Sequence, residues 1–124
     1  MQHRAPEIQA AYDKHQAARD GSCDFCLVPA EQIVTETPTQ RVIHNIFPYA
    51  TWDFQPVSDH LMIVPKRHLL SLDEQTAQEN LELMRLIAEY ENIGYSVYIR
   101  APKNALRSVA HIHTHLFLLP HAKS

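Results

Sequence analysis

Three histidines alternate with other residues in the segment His111-Ile112-His113-Thr114-His115. Successive side chains of a β-strand point to opposite faces of the sheet, so a strand here places all three imidazoles on one face. A helix would turn His113 away from the other two, and the β-branched and aromatic neighbours also favour a strand. Three imidazoles on one face can bind a metal ion, or they can surround an anionic group and supply a nucleophile. Half-buried histidines without a chemical role give the same spacing, so this pattern leaves three interpretations open.

Short predicted strands surround one long predicted helix. The helix begins near Ser71 and Glu74, which have the spacing of a capping box, and Gly94 is placed to end it. Its packing face is predicted from apolar residues at helical spacing, namely Ala77, Leu81, Met84 and Ala88. Strands are predicted over residues 31–35, 41–47, 61–64, 95–99 and 109–119, an irregular segment over 49–59, and a further helix over 6–19.

This order of elements predicts an α+β fold. We expect an antiparallel sheet of about five strands, with the long helix on one face and an additional N-terminal helix. Neither a repeat nor a linker interrupts the 124 residues, which is the length of one ordinary domain. We therefore expect a single domain over residues 1–124, with a core over 22–120 and a helical extension over 1–21.

The charge balance limits the classes of partner. Lys and Arg number 11 against 14 Asp and Glu, and the net charge of −3 argues against bulk binding of nucleic acid. The sequence shows no apolar stretch near the ~20 residues of a membrane-spanning helix, and no apolar signal region follows its first residues. We therefore expect a cytoplasmic protein that binds neither bulk nucleic acid nor a membrane. With only two glycines, the chain also lacks the composition of a glycine-rich phosphate loop.

Two further motifs lie upstream of the three histidines. Residues 45–49 read Asn-Ile-Phe-Pro-Tyr, and residues 60–68 read His-Leu-Met-Ile-Val-Pro-Lys-Arg-His. With the 111–115 segment, these motifs resemble the histidine triad (HIT) superfamily of nucleotide hydrolases and transferases, over about residues 22–120. The chain departs from the usual pattern at Leu106-Arg107, where that family has Gly-Gln, and in a longer segment between the two upstream motifs. Arg107, with Arg100 or Lys103, can act in place of the missing glutamine as a phosphate clamp.

The resemblance implies an HIT-like fold and a covalent mechanism. His113 matches the family nucleophile, which attacks the α-phosphate of a nucleotide and forms a nucleotidyl-histidine. His115 and Ser108 match positions that hydrogen-bond the phosphoryl oxygens, and His60 matches an upstream active-site histidine. The nucleotide-binding candidates are Asn45, Ile46, Phe47, Asn104 and Arg107.

Cys23 and Cys26 form a C-x₂-C knuckle and are the two cysteines of the chain. A zinc site built on them needs two more ligands, which must be histidines or carboxylates. Members of the superfamily bind zinc through such a knuckle, the histidine after Pro-Lys-Arg and the first triad histidine. The resemblance therefore implies a structural zinc held by Cys23, Cys26, His68 and His111, and two reduced buried thiols are the alternative.

The resemblance leaves the reaction open. Hydrolysis of a dinucleoside polyphosphate such as diadenosine tetraphosphate fits, as does hydrolysis of a nucleoside phosphoramidate or adenylate. Phosphorolysis also fits, because the upstream motifs resemble those of bacterial diadenosine tetraphosphate phosphorylases. Two other classes are a non-catalytic nucleotide- or zinc-binding module and a metal-dependent hydrolase, although residues 108–121 lack the activating carboxylate that such a hydrolase needs. A homodimer is common in the family, and a second apolar stripe on the long helix is a candidate contact, formed by Leu83, Leu86, Ile87 and Tyr90.

Overall fold

The chain folds around one antiparallel sheet of five strands. The computed structural model of the protein describes residues 3–104, 106–107 and 109–121. The helices and strands are α1 (Pro6–Ala17), β1 (Ile33–Glu36), β2 (Gln40–His44), β3 (Thr51–Trp52), β4 (Gln55–Pro56), β5 (Asp59–Pro65), α2 (Ala77–Asn92), β6 (Tyr95–Tyr98) and β7 (Thr114–Leu118). The strand order in the sheet is β1-β2-β5-β7-β6, and every neighbouring pair is antiparallel. The predicted α+β fold is confirmed.

Neither helix in this described part of the chain has the length and apolarity needed to cross a membrane.

The central strand β5 separates two packed faces. Its register with β7 places Ile63 opposite Thr114 and Met62 opposite His115. Paired residues of antiparallel strands share a face, so alternate positions of β5 serve different cores. One face packs against α2 through Val42, Leu61, Ile63, Leu83, Leu86 and Leu116. The opposite face carries Met62 with Phe25, Ile43, Val64 and Val109, and it also carries the predicted site.

The helix α2 begins later than predicted. Thr76 is its N-cap residue: the Thr76 side chain accepts a hydrogen bond from the backbone N–H of Glu79, and the Glu79 carboxylate accepts one from the backbone N–H of Thr76. The predicted capping box at Ser71 and Glu74 was wrong, because residues 72–74 form a separate 3-10 turn. Both pairs have the same spacing, and only the second caps a helix.

The packing face of α2 was also predicted wrongly. Leu81 is 45% exposed and Met84 62% exposed, so the predicted stripe faces away from the core. The true face includes two buried glutamates, of which Glu79 pairs with Arg67 and Glu82 accepts a hydrogen bond from the backbone of residue 39. These charged residues hide the apolar pattern of the face that packs on the sheet. The stripe first assigned to a dimer contact supplies that core face, through Leu83, Leu86, Ile87 and Tyr90.

The segment 49–59, predicted to be irregular, contains the β3–β4 hairpin. Its two turn residues, Asp53 and Phe54, both have positive φ, at 52° and 58°, as in the tight turns that suit the twist of a hairpin. Trp52 stacks on Phe117 with 4.7 Å between ring centroids. The backbone N–H groups of residues 50 and 51 both donate to the carbonyl of His3. The hairpin therefore covers the sheet face opposite α2 and holds the N-terminal segment beside it.

The strand that carries the histidines is shorter than predicted. It begins at Thr114, because the backbone N–H of Ile112 donates to the carbonyl of Leu69 instead of pairing with β5. The partner strand β5 ends at Pro65, which has no N–H to donate. His115 therefore lies within β7, and the other two histidines lie in the segment that leads into it.

Candidate functional site

The ring of His113 has one occupied and one available nitrogen. Its Nδ1 lies 3.0 Å from the carbonyl oxygen of His111. A carbonyl only accepts hydrogen bonds, so Nδ1 carries the proton and Nε2 keeps its lone pair. Burial lowers the pKa of His113 to about 4, with smaller contributions from the charges of Arg107 and Arg100. The imidazole is therefore neutral at pH 7, which is the form that can act as a nucleophile.

A second pair of histidines forms a directed hydrogen-bond chain. The backbone N–H of Tyr49 donates to Nδ1 of His60 at 3.1 Å, so the proton of this neutral ring is on Nε2. His60 Nε2 then donates to Nδ1 of His115 at 2.9 Å. The proton of His115 must in turn lie on its Nε2, which is buried and has no acceptor among the described residues. One N–H of the site is therefore left to donate to a ligand.

Burial keeps this pair uncharged. It is the main reason that the pKa of His60 falls to about 3, and the charges of Arg4 and His113 lower it further. Burial also holds the pKa of His115 well below 6.5, again with His113 and His60 adding to the effect. Because neither ring is protonated on both nitrogens, each ring has one N–H and one lone pair. The hydrogen bonds described above can then fix which nitrogen of each ring carries the proton.

His113 and His115 open onto a cavity of about 530 Å³ between the sheet and α1. That volume is within the range of small-molecule sites, about 300–1,000 Å³. Apolar side chains form much of the wall, including Leu27, Ile46, Met62 and Val109, and the basic side chains of Arg4 and Arg100 also line it. The cavity can therefore hold a ligand that has both apolar and anionic groups.

Three of the predicted nucleotide-binding residues line this cavity, namely Asn45, Ile46 and Phe47. The side-chain oxygen of Asn45 accepts a hydrogen bond from the backbone N–H of Phe47 at 2.8 Å, and its amide nitrogen lies 3.3 Å from Nδ1 of His60. Asn45 thus links the cavity wall to the histidine pair.

The loop before the triad contributes less to the wall. Among the described residues, Asn104 and Arg107 are not part of the cavity lining. The Arg107 guanidinium donates instead to the carbonyls of Leu70, Val109 and residue 110, so it holds the loop together. Ser108, the predicted phosphate contact, lies outside the described residues.

The four predicted metal ligands come together beside the triad. Ligand atoms of Cys23, Cys26, His68 and His111 all lie within 4.8 Å of one another. Nδ1 of His111 is 3.5 Å from each cysteine sulfur, and Nδ1 of His68 is 3.2 Å from the sulfur of Cys26. A tetrahedral ion with bonds of about 2.3 Å to sulfur and about 2.0 Å to nitrogen separates such atoms by about 3.5 Å.

Hydrogen bonds outside this cluster orient its ligands. His111 is fully buried, and its Nε2 lies 2.8 Å from the carbonyl of Pro65, so Nε2 carries the proton and the Nδ1 lone pair faces the cysteines. His68 follows Arg67, whose guanidinium is anchored by Glu79 at 2.7 Å. The residues present therefore fit a four-coordinate metal ion.

The N-terminal residues contribute to the cavity wall, which the sequence did not predict. His3 and Arg4 line the cavity, as do Tyr12 and His15 of α1. The ring of His3 stacks on Tyr49 with 5.0 Å between centroids. The available signal was weak: the cavity-lining positions of α1 recur at helical spacing, but they are polar or aromatic and do not form an apolar stripe.

Comparisons with known proteins identify relatives with the same fold. The sequence matches the HIT domain over residues 28–121. The adenosine 5′-monophosphoramidase of Saccharomyces cerevisiae is 27% identical over 117 residues, which cover 90% of this chain and 72% of the relative. An HIT family hydrolase from Legionella pneumophila superposes with a TM-score of 0.57 at 22% identity, covering 82% of this chain and 95% of that one. A Plasmodium falciparum diadenosine triphosphate hydrolase gives a TM-score of 0.60 at 13% identity, covering 92% and 80%.

At these identities the two superpositions show a shared fold and no more. The domain match, by contrast, spans most of the chain and includes both the histidine pair and the triad. On this basis the chain is a member of the histidine triad (HIT) domain family.

Proposed function

We propose that the chain is a nucleotide hydrolase or nucleotidyltransferase that works through a covalent nucleotidyl-histidine on His113. The observation that carries this proposal is the hydrogen bond from His113 Nδ1 to the carbonyl of His111, which leaves Nε2 with its lone pair in a ring that lines the cavity. Nothing further is needed to activate a neutral imidazole as a nucleophile at neutral pH.

The reaction has two displacements at phosphorus. In the first, His113 Nε2 forms a bond to the α-phosphorus, and the bond from phosphorus to the leaving group breaks with its electron pair on that group. In the second, a water molecule attacks the same phosphorus, the N–P bond breaks, and its electron pair returns to Nε2 while the water proton goes to solvent. Another acceptor in place of water gives transfer instead of hydrolysis.

His115 supplies a donor to the reacting phosphoryl group. Its Nε2–H has no acceptor among the described residues, and the hydrogen-bond chain from Tyr49 through His60 fixes it in the donor form. A donor held ready where negative charge develops stabilises the transition state without reorganisation. We assign His60 to positioning His115, and we assign Ser108 to a phosphoryl contact on the family resemblance alone.

The cavity and the relatives support a proposal for the substrate class. We place the nucleoside against Asn45, Ile46 and Phe47, which line the cavity. The named relatives act on an adenosine phosphoramidate and on diadenosine triphosphate. We therefore propose nucleoside phosphoramidates or adenylates and dinucleoside polyphosphates, including diadenosine tetraphosphate, as the substrates to test. The residues Asn104 and Arg107 have a supporting role in shaping the loop.

We further propose that the cluster of Cys23, Cys26, His68 and His111 holds a structural zinc ion. Two sulfur and two nitrogen donors are a common zinc set, and the spacing of the donor atoms supports four-fold coordination. Such an ion would join the N-terminal loop to the segment that carries the triad.

We also propose a homodimer. In the described part of the chain β6 pairs only with β7, so β6 forms an edge of the sheet. Next to it, α2 exposes Leu81 and Met84 on the side away from the core. Light scattering coupled to size exclusion tests this, and a Met84→Glu variant that stays as associated as the wild type would contradict it.

Covalent trapping tests the proposed mechanism. The protein is mixed with an adenosine phosphoramidate or a diadenosine polyphosphate, quenched in alkaline denaturant and measured by intact mass. We expect an adenylyl adduct that His113→Ala abolishes and that His44→Ala, at an exposed histidine of β2, does not. Turnover that His113→Ala leaves unchanged overturns the proposal. Binding of nucleotides without turnover by either protein indicates a non-catalytic module, and release of a nucleoside diphosphate that depends on inorganic phosphate indicates a phosphorylase.

A further inference from the structure

Arg100 is a buried cation without a carboxylate partner. The residue is 8% exposed, and its Nη2 donates to the Tyr49 hydroxyl at 3.0 Å. Its guanidinium carbon lies 6.0 Å from the ring centroid of Trp52 and 5.4 Å from that of Tyr98. Among the residues that the structure describes, no Asp or Glu is within ion-pair distance of it. Removing a charge from water is costly unless an opposite charge compensates, so an anionic ligand is the expected partner.

A second arginine reaches the same cavity. Nε of Arg4 donates to the carbonyl of Phe47 at 2.7 Å, and its guanidinium carbon lies 4.8 Å from the ring centroid of Tyr49. Tyr49 therefore contacts both arginines. Across the described wall, Asp24 is the one carboxylate, and it lies 3.2 Å from Nε2 of His15. The cavity thus carries an excess of positive charge.

This positive charge lies near the proposed reaction centre. Arg100 lines the same cavity as His113 and His115. In an in-line displacement the leaving group departs from the phosphorus opposite the attacking Nε2 of His113. Arg100 contacts Tyr49 and Tyr98, whose rings both lie against His115. Its guanidinium therefore lies beside the proposed phosphoryl donor, in the cavity that a departing phosphate chain would occupy.

We propose that Arg100 binds the phosphate chain of the leaving group and makes the protein prefer polyphosphate substrates to nucleoside phosphoramidates. The inference rests on nucleotidyl transfer to His113. With a polyphosphate, the P–O bond breaks and its electron pair remains on a departing phosphate oxygen, where a guanidinium stabilises the new charge. With a phosphoramidate, the P–N bond breaks and the departing nitrogen must take up a proton, so the same guanidinium gives no such help.

The test compares two substrates that share one adenylyl group. Values of kcat/KM are measured with diadenosine triphosphate and with adenosine 5′-phosphoramidate for the wild type, Arg100→Gln and Arg100→Lys. We expect Arg100→Gln to lower kcat/KM roughly 10- to 100-fold for the triphosphate and less than about threefold for the phosphoramidate. Arg85→Gln, on α2 at the opposite face of the sheet, is the matched control and should change neither value.

An equal loss with both substrates, or no loss with either, overturns the inference. So does a wild type that turns over only the phosphoramidate, although the proposed mechanism at His113 then stands. If neither substrate gives an adenylyl adduct, it is the proposed function that fails. Should Arg100→Gln not fold, inorganic tripolyphosphate with the wild type gives the same decision: we expect competitive inhibition of phosphoramidate turnover that weakens with added salt, and its absence contradicts an anion site.

Discussion

The buried histidine pair makes the stability of the fold depend on pH. His60 is 3% exposed, and both of its ring nitrogens are engaged, one by the backbone N–H of Tyr49 and one by His115. The charged or titratable groups that face it are Arg4, His113 and His115, and each of them disfavours a protonated ring at this position when charged. In the unfolded chain His60 takes up a proton near pH 6.5, whereas in the folded protein it does so only near pH 3. The unfolded state therefore binds more protons below pH 6.5, and stability present above that pH is lost as the pH falls toward 3.

The expected loss can be worked out from that pKa difference. For one such histidine, each pH unit below 6.5 lowers the free energy of unfolding by about 1.4 kcal/mol. At pH 4.5 His60 therefore lowers it by about 2.7 kcal/mol relative to its value above pH 6.5. His115 adds a loss of the same sign. A His60→Gln variant retains a polar side chain but cannot take up a proton. Between pH 6 and 4 its free energy of unfolding should therefore fall with a slope lower by about 1.4 kcal/mol per pH unit than that of the wild type.

Urea unfolding at a series of pH values measures both slopes. Trp52, the only tryptophan, stacks on Phe117 and reports loss of packing by fluorescence. Contributions from groups that do not contact His60, the metal ligands included, are common to both proteins and cancel in the difference. His44→Gln, at an exposed histidine, should keep the wild-type slope. Equal slopes for the wild type and His60→Gln would show that the buried ring is not held neutral, and the reasoning would be refuted.

Three other changes follow from the packing and the metal cluster. Chelation, or a Cys26→Ser change, should release about one zinc ion per chain and lower the thermal midpoint, and metal analysis that finds less than about 0.2 zinc per untreated chain contradicts the site. Gly94→Ala should destabilise the fold by about 1–2 kcal/mol in urea unfolding, because φ is +104° there and a Cβ would meet the ring of His121; a neutral effect would contradict the left-handed turn. Leu116→Ala, at a fully buried position, should cost about 2–5 kcal/mol, whereas Leu81→Ala should cost under about 1 kcal/mol, and similar losses for both would mean that α2 packs through the other face.

The sequence predicted the kinds of element well and their contacts less well. The apolar run at residues 61–64 identified the central strand because a buried strand needs side chains of that kind on both faces. The start of α2 was missed because Ser71–Glu74 and Thr76–Glu79 have identical spacing, and tertiary contacts decide which pair caps the helix. Its face was missed because two glutamates are buried there, each satisfied by partners distant in sequence.

The residue types of the site were predictable, and their assignment to different tasks was not. His111, His113 and His115 follow one spacing in the sequence, yet the first joins the cysteines and the other two line the cavity. That separation depends on the backbone of residue 112 pairing with Leu69 in place of β5. No sequence period encodes such a pairing.

The chemistry of the triad is set as much by main-chain groups as by side chains. A carbonyl accepts from His113 and therefore leaves a lone pair at the opposite nitrogen, while a backbone N–H donates to His60 and so, through that ring, leaves a proton on His115. In the mechanism that we propose, three chemically identical side chains serve as a metal ligand, a nucleophile and a hydrogen-bond donor. Their free nitrogens differ because a backbone carbonyl holds His111 at Nε2, another holds His113 at Nδ1, and the His60 ring holds His115 at Nδ1. A substitution that shifts residue 49 or residue 111 by about 1 Å should therefore impair phosphoryl transfer even when every histidine is retained.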